Sequence, residues 1–355
     1  MTKISKYDIS KYPFVDALRG IAVLLVMMHH ATMIYGRNIY SDLLISFKSE
    51  GSRGVELFFI VSAFTLFRSL TLRSKDEKHF IRNFFIRRFF RISPLYYLVI
   101  LFYLVAFFSG IIIWFTPVST INFSHLLTLF TYTNGFNKYY NTFIPGAWTI
   151  NVEMTFYVLL PLLFIFITSL KRSILVFFIS CILFLIPVNN YFLPHLPIFL
   201  LGIVGYFLLE FWKGKNEIKI IQKLDLSFIL VGSLYSIFLL RLTSPSPLLA
   251  GVLFLILFCR ICLAPTRILV NPFLEYIGKI SFSLYLTHFI VLYYMSRFHF
   301  INFATKPFMN FSIRFIVLLG ISIVVSTITF LFIEVPGQKV GKKIILLLKK
   351  KENRF

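Results

Sequence analysis

Residues 14–35 read FVDALRGIAVLLVMMHHATMIY, an apolar run long enough to cross a bilayer as a helix. Arg19 and His30 interrupt it. Eleven steps at about 100° per residue make three turns plus roughly 20°, so both side chains leave one face, about 16 Å apart along the axis. A charge near the centre of a membrane helix costs about 2.5–3.5 kcal/mol on insertion scales, so an ionisable pair stacked on one face points to function. The run is expected to stay in the mature protein: it is long, carries Arg19 and His30, and has no small-residue cleavage site before Arg37.

The rest of the chain extends this reading. Its 355 residues are 58% hydrophobic and 19% aromatic, above the roughly 45–50% apolar share of soluble domains. The expected fold class is all-α, a polytopic membrane helical bundle of about ten transmembrane helices. The spans fall near 14–35, 54–72, 92–115, 147–170, 173–188, 197–212, 226–242, 248–264, 280–298 and 312–333. With the amino terminus in the cytoplasm, the inner segments hold 25 Lys and Arg and the outer ones 5, which places both termini inside. Residues 1–355 are expected to form a single membrane domain, with 336–355 a basic cytoplasmic tail. The stretches 73–91 and 116–146 are too short for a core of their own. Within the second, 125–132 is apolar enough to lie against the bilayer or re-enter it, and Asn134-Gly135 marks a turn.

The net charge of +22 follows from this topology and from anionic membrane lipid, and requires no nucleic acid. Cys181, Cys259 and Cys262 fall in spans. The Cys259 to Cys262 spacing lacks a second pair, so apolar packing is expected, with no metal and no disulfide framework.

Depth counting then sorts the polar residues. His30 lies five residues, about 7.5 Å, inside the outer end at Tyr35, and Glu153 lies six residues, about 9 Å, inside the outer end at Ala147. The two are expected at one level, with Glu56 near the outer end of span two. Thr149, Glu153 and Tyr157 share a face at i, i+4 spacing. A carboxylate that orients His30 and raises its basicity would let it take a proton from a hydroxyl. At the inner level lie Arg19, Arg68, and the face of span nine with Ser281, Tyr285 and His288. Below them Arg87, Arg88 and Arg91 complete a cationic floor suited to a phosphate-bearing donor. Each residue also has a plainer role, as a snorkelling anchor for Arg19, Arg241, Arg297 or Arg314, an interfacial residue for Glu56 or Arg68, or a packing histidine for His29 or His30. The set, not any member, carries the reading.

Six segments, in order, resemble the acyltransferase-3 family of membrane proteins. They are ALRGIA at 17–22 running on to His30, GVELFFIVS at 54–62, and RRFFRISP at 87–94 as a basic loop. They continue with WTINVE at 148–153 followed by Phe156 and Tyr157, SFSLYLTH at 281–288, and EVP at 334–336. Ala63, Glu56 and Gln338 depart from the family pattern, where glycine, aspartate and a basic residue are usual. These departures bear on local packing.

The resemblance implies transfer of an acyl group, usually acetyl from acetyl-CoA as co-substrate, to a sugar hydroxyl of a bacterial surface polysaccharide or its lipid-linked precursor, in the inner membrane. Acyl-CoA would dock its phosphates on Arg87, Arg88, Arg91 and Arg68 and pass Arg19 and His288. His30, oriented by Glu153, would act as base on the acceptor or first take the acyl group; both routes stay open. Many relatives carry an esterase-like domain. Here a membrane domain alone is expected, working by itself or with polysaccharide-assembly proteins. The rival reading is a glycan transporter or flippase lined by the same residues, although no inverted repeat is seen. A third is a silent relative that assists a synthase.

Overall fold

The computed structural model describes residues 12–35, 50–110, 122–136, 143–186, 191–212, 247–297 and 306–352. The expected span at 226–242 lies outside the described residues. Among those described, every element is helical: α1 Pro13–Tyr35, α2 Gly54–Asp76 after a 3-10 turn at Gly51–Arg53, α3 Phe80–Phe108, α4 Phe123–Phe130, a 3-10 turn at Asn134–Phe136, α5 Ala147–Phe166, α6 Leu170–Phe184 and α7 Phe192–Trp212. There follow α8 Pro247–Leu263, α9 Pro272–Lys279, α10 Ser281–Arg297, α11 Pro307–Thr329, a π-helical turn Phe330–Glu334, and α12 Val335–Glu352.

The protein is a polytopic membrane bundle. Among the described residues, six stretches are long and apolar enough to cross a membrane: Pro13–Thr32, Gly51–Asp76, Phe80–Phe108, Ala147–Phe166, Phe192–Trp212 and Phe308–Glu352. The helices α6, α8 and α10, of 15, 17 and 17 residues, are shorter. Large apolar side chains stand exposed on the bundle surface, among them Val158, Leu162 and Ile165 on α5, Phe178 and Ile182 on α6, and Val324 and Ile328 on α11. Such faces suit hydrocarbon, where helices satisfy most of their backbone groups internally.

Two features of the sequence shape the packing around α1. Gly20 and Gly278 let α1 and α9 touch backbone to backbone: a Cβ on Gly20 would lie 2.3 Å from the Leu274 carbonyl oxygen, and one on Gly278 would lie 1.7 Å from that of Asp16. Gly54 does the same for α1 and α2, against the Ala22 carbonyl at 2.3 Å. Behind α2, the rings of Phe59, Phe199 and Phe156 form a stack with centroids 4.4 and 4.1 Å apart, which ties α2, α7 and α5 together.

The expected basic loop at 73–91 is corrected: from Phe80 it is already helix, continuous with the span that follows. No glycine or proline interrupts the run from Phe80 to Ser93, and arginine is a good helix former, so the span simply begins earlier. Pro94 cannot bond back to the Phe90 carbonyl. That oxygen faces Gly337 of α12, where a Cβ would stand 2.8 Å away. The tail is thus helical to Glu352 and lies along α3, with the Glu352 carboxylate accepting from Arg82 at 2.5 Å.

Candidate functional site

A narrow cavity of about 30 Å³ lies between α1, α2, α5 and α10. Its walls are mainly apolar, with Ala22, Val23 and Val26 from α1 and Val55, Phe58 and Phe59 from α2. The polar groups on it are Thr149, Glu153, Ser281 and Tyr285. On α1 the lining residues fall between Arg19 and His30, so the cavity occupies the interval between those two side chains.

At the Arg19 end, basic groups converge. Arg19 donates to Thr65 Oγ1 at 3.2 Å, and the charges of Arg91, Asp16 and Glu153 lie within electrostatic reach of it. Arg88 is in reach of Arg19, Arg91, Glu153 and Tyr157. Its position one turn before Arg91 on α3 puts both guanidiniums on one side of that helix. The Nε atoms of Arg19 and Arg88 are buried without a hydrogen-bond partner. Glu153, 6% exposed, accepts from Ser62 Oγ at 2.8 Å and from the Tyr157 hydroxyl at 2.5 Å. Arg19, Arg88, Arg91 and Lys279 share this region with three carboxylates, Asp16, Glu153 and Glu334, and the unpartnered Nε groups of Arg19 and Arg88 are donors left for an anion.

At the other end His30 meets His288. His30 Nδ1 lies 3.1 Å from His288 Nε2, with ring centroids 5.2 Å apart. His288 is fully buried, and its Nδ1 lies 3.1 Å from the Leu284 carbonyl oxygen. A carbonyl only accepts, so Nδ1 of His288 carries the proton and its Nε2 is the acceptor in the neutral ring. The bridging proton must then sit on Nδ1 of His30, and Nε2 of His30 is left with a free lone pair. The helix bearing His288 is braced from behind: Ser283 donates to Glu334 in the π-helical turn, and Thr287 and Ser326 hydroxyls bond at 2.9 Å. This relay of carbonyl, imidazole and imidazole holds one basic nitrogen in a set orientation.

Several expected groupings change. His288 was expected at the level of Arg19, yet it touches His30. Counting from Ile280 assumed that span nine starts at the membrane surface, whereas Ile277, Gly278 and Ile280 are buried where α9 crosses α1. Glu153 was expected on His30; it is instead bonded to Ser62 and Tyr157 and lies in reach of Arg19 and Arg88. Arg87 faces away from Arg88 and is held by Glu77 at 3.1 Å. Arg68 pairs with Glu210 at 3.6 Å and covers the Tyr12 ring at 4.8 Å. Ser281 and Tyr285 line the cavity as a pair, and Tyr285 donates to the Gly146 carbonyl at 3.1 Å. Gly146 has φ +76, a conformation that suits glycine. Thr149 bonds the same carbonyl at 2.9 Å. Glu56 accepts from Arg53 at 3.0 Å, and Trp148 packs on Tyr191 and His195. Ser62, Tyr191 and His195 were missed; the only trace of the last two is a polar pair one turn apart at the entry to an apolar run.

The Glu77 cluster outside the membrane gives a pH dependence. Burial raises the Glu77 carboxyl, but hydrogen bonds from Asn83, Arg73 and Arg87 outweigh it and hold the pKa below its ordinary 4.5. Stability from a depressed carboxylate is complete above the ordinary value and is lost as pH falls through the folded one. Hydrogen-exchange protection factors of the link between α2 and α3 are therefore expected to fall below about pH 4.5 in wild type. The Glu77→Gln variant should lack protection at neutral pH and show no such step.

A family model described as an acyltransferase domain matches residues 12–331. A protein of Staphylococcus aureus (strain COL) that bears the name of an O-acetyltransferase is 24% identical over 96% of this chain, which spans 60% of that protein's length. One named as an acetyltransferase in Acidianus two-tailed virus is 25% identical over 79% of the chain and 83% of its own length. The peptidoglycan O-acetyltransferase of Listeria monocytogenes is 25% identical over 48% of the chain and 27% of its own. No solved structure matches the chain significantly. With its helical membrane bundle, the match over residues 12–331 shows that the chain belongs to the acyltransferase-3 family.

Proposed function

We propose that the protein moves an acyl group, acetyl from acetyl-CoA, to a sugar hydroxyl of a bacterial surface polysaccharide or its lipid-linked precursor. The chain sits in the cytoplasmic membrane with its amino terminus inside, as the 25 to 5 distribution of basic residues favours. One observation carries the reading: an apolar cavity lies between a cluster of arginines with spare donors and a histidine with a free, aligned lone pair. Arg19, Arg88 and Arg91 bind the donor's phosphates. The thioester end reaches through the cavity toward His30.

His30 Nε2 takes the proton of the acceptor hydroxyl as its oxygen attacks the thioester carbonyl. The C–S bond breaks, the ester C–O bond forms, and the proton passes to the leaving thiolate. The same nitrogen can instead attack the carbonyl first and hold the acyl group until the hydroxyl arrives. His288 fixes the tautomer and direction of His30 in either route, and Glu153 keeps the arginines in place.

Blocking the cavity tests this path. In Val26→Trp an indole replaces a lining isopropyl group that lies between Arg19 and His30, one turn from His30. Acetyl-CoA should still bind by calorimetry, because the arginines are untouched. Transfer, read as acceptor-dependent release of free CoA, should drop by about 10²-fold or more. Unimpaired transfer in this variant would rule the cavity out as the route.

A further inference from the structure

Beyond the cavity, α5 and the entry to α7 bring together rings that neither the proton relay nor the arginine cluster uses. The Trp148 indole stacks on the Tyr191 ring, with centroids 5.2 Å apart and planes at 28°. It also lies 5.2 Å from the His195 imidazole. His195 Nδ1 donates to the Tyr191 carbonyl at 2.7 Å, so its Nε2 is an acceptor in the neutral ring. The other side of His195 meets the edge of Phe59 at 5.5 Å, and Phe59 is a wall of the cavity.

Charged partners stand beside these rings. Glu56 lies one turn before Phe59 on α2, accepts from Arg53 at 3.0 Å, and is within electrostatic reach of His195. The turn holding Arg53 packs on α1 next to the relay: a Cβ on Gly51 would lie 2.9 Å from that of His29. Trp148, Tyr191, His195 and Arg53 are partly exposed rather than sealed in the core.

This combination matches one ligand chemistry. A purely apolar ligand has no use for a buried carboxylate, a guanidinium and an imidazole acceptor. A phosphate would meet two carboxylates, Glu50 and Glu56, around the single Arg53. A pyranose presents a C–H face to an aromatic ring, while its rim hydroxyls both donate and accept. We propose that Trp148, Tyr191, His195, Glu56 and Arg53 form a pyranose-binding platform that seats the acceptor sugar beside the helix carrying His30. The platform rests on the reading of the chain as a transferase to a sugar hydroxyl, and it names the residues that select that sugar.

Saturation-transfer NMR on the full chain in detergent micelles, without acyl-CoA, reads the platform alone. The probes are methyl β-glucopyranoside, methyl β-galactopyranoside and methyl N-acetyl-β-glucosaminide. Saturation should pass from aromatic protons to the ring protons of at least one glycoside. Affinity should weaken about tenfold in Trp148→Leu, the loss of one stacking contact, and less in Trp148→Phe, which keeps a ring. Glu56→Gln, which preserves shape, should weaken it as well. No transfer to any of the three glycosides, or equal binding by wild type and folded Trp148→Leu, overturns the platform. Acetyl-CoA turnover is measured separately. Turnover without glycoside binding defeats the platform alone, whereas glycoside binding without any turnover defeats the transferase reading and with it the platform's acceptor role, leaving a pyranose site only.

Discussion

A His30→Ala variant is expected to lose acyl transfer by about 10²–10⁴-fold, the usual contribution of a positioned general base, and to lose more if the acyl group rests on this nitrogen. The reason lies in the relay. His288 is locked by the Leu284 carbonyl and offers only its Nε2, so His30 has one orientation in which its Nδ1 proton is used and its Nε2 is open. Acetyl-CoA affinity should stay within about twofold of wild type, since no arginine is touched. His288→Leu separates positioning from chemistry. It should reduce kcat while leaving both KM values nearly unchanged, and it should alter the pH profile, which a merely structural loss would not do. Retained transfer in a correctly inserted His30→Ala protein would remove His30 from the mechanism.

The second large effect is expected at Glu153. Its carboxylate is buried and takes hydrogen bonds from Ser62 and Tyr157, and it is a counter-charge in reach of Arg19 and Arg88. Removing one partner from a buried charge cluster costs about 3–5 kcal/mol, because the remaining charges stay desolvated. Glu153→Gln should therefore lower the apparent melting temperature in detergent. Its residual transfer should keep the shape of the wild-type pH profile. A changed profile with unaltered stability would instead put Glu153 on the His30 imidazole, as depth along the helices suggests.

That contrast shows where reading along the chain stops. Arg19 and His30 share a helix face by arithmetic, and hydropathy finds the long apolar helices, because a membrane helix needs a run of apolar residues whatever its neighbours are. It does not find α9, α12 or the basic first turns of α3. Depth arithmetic also put Glu153 level with His30 and His288 level with Arg19, and the bundle pairs them differently. A count from one helix end gives depth only when that end lies at the membrane surface. The buried crossing of α9 on α1, made by Gly20 and Gly278, moves the start of α10 off that surface. The split among the arginines of α3 has a similar origin. Arg87, Arg88 and Arg91 look equivalent in a loop, but on a helix Arg87 turns to Glu77 while Arg88 and Arg91 come within electrostatic reach of Arg19.

Membrane class, helical content and the six family segments were determined by the sequence alone, since each depends on composition or on spacing within a single element. The tertiary structure alone decided which helix faces meet: His30 with His288, Glu153 with Ser62 and Tyr157, and Trp148 with Tyr191 and His195. The hydrophobic effect that inserts each helix does not distinguish its neighbours in lipid. Close backbone contact at a few glycines and hydrogen bonds between buried side chains make that choice, and both arise only when the helices are side by side.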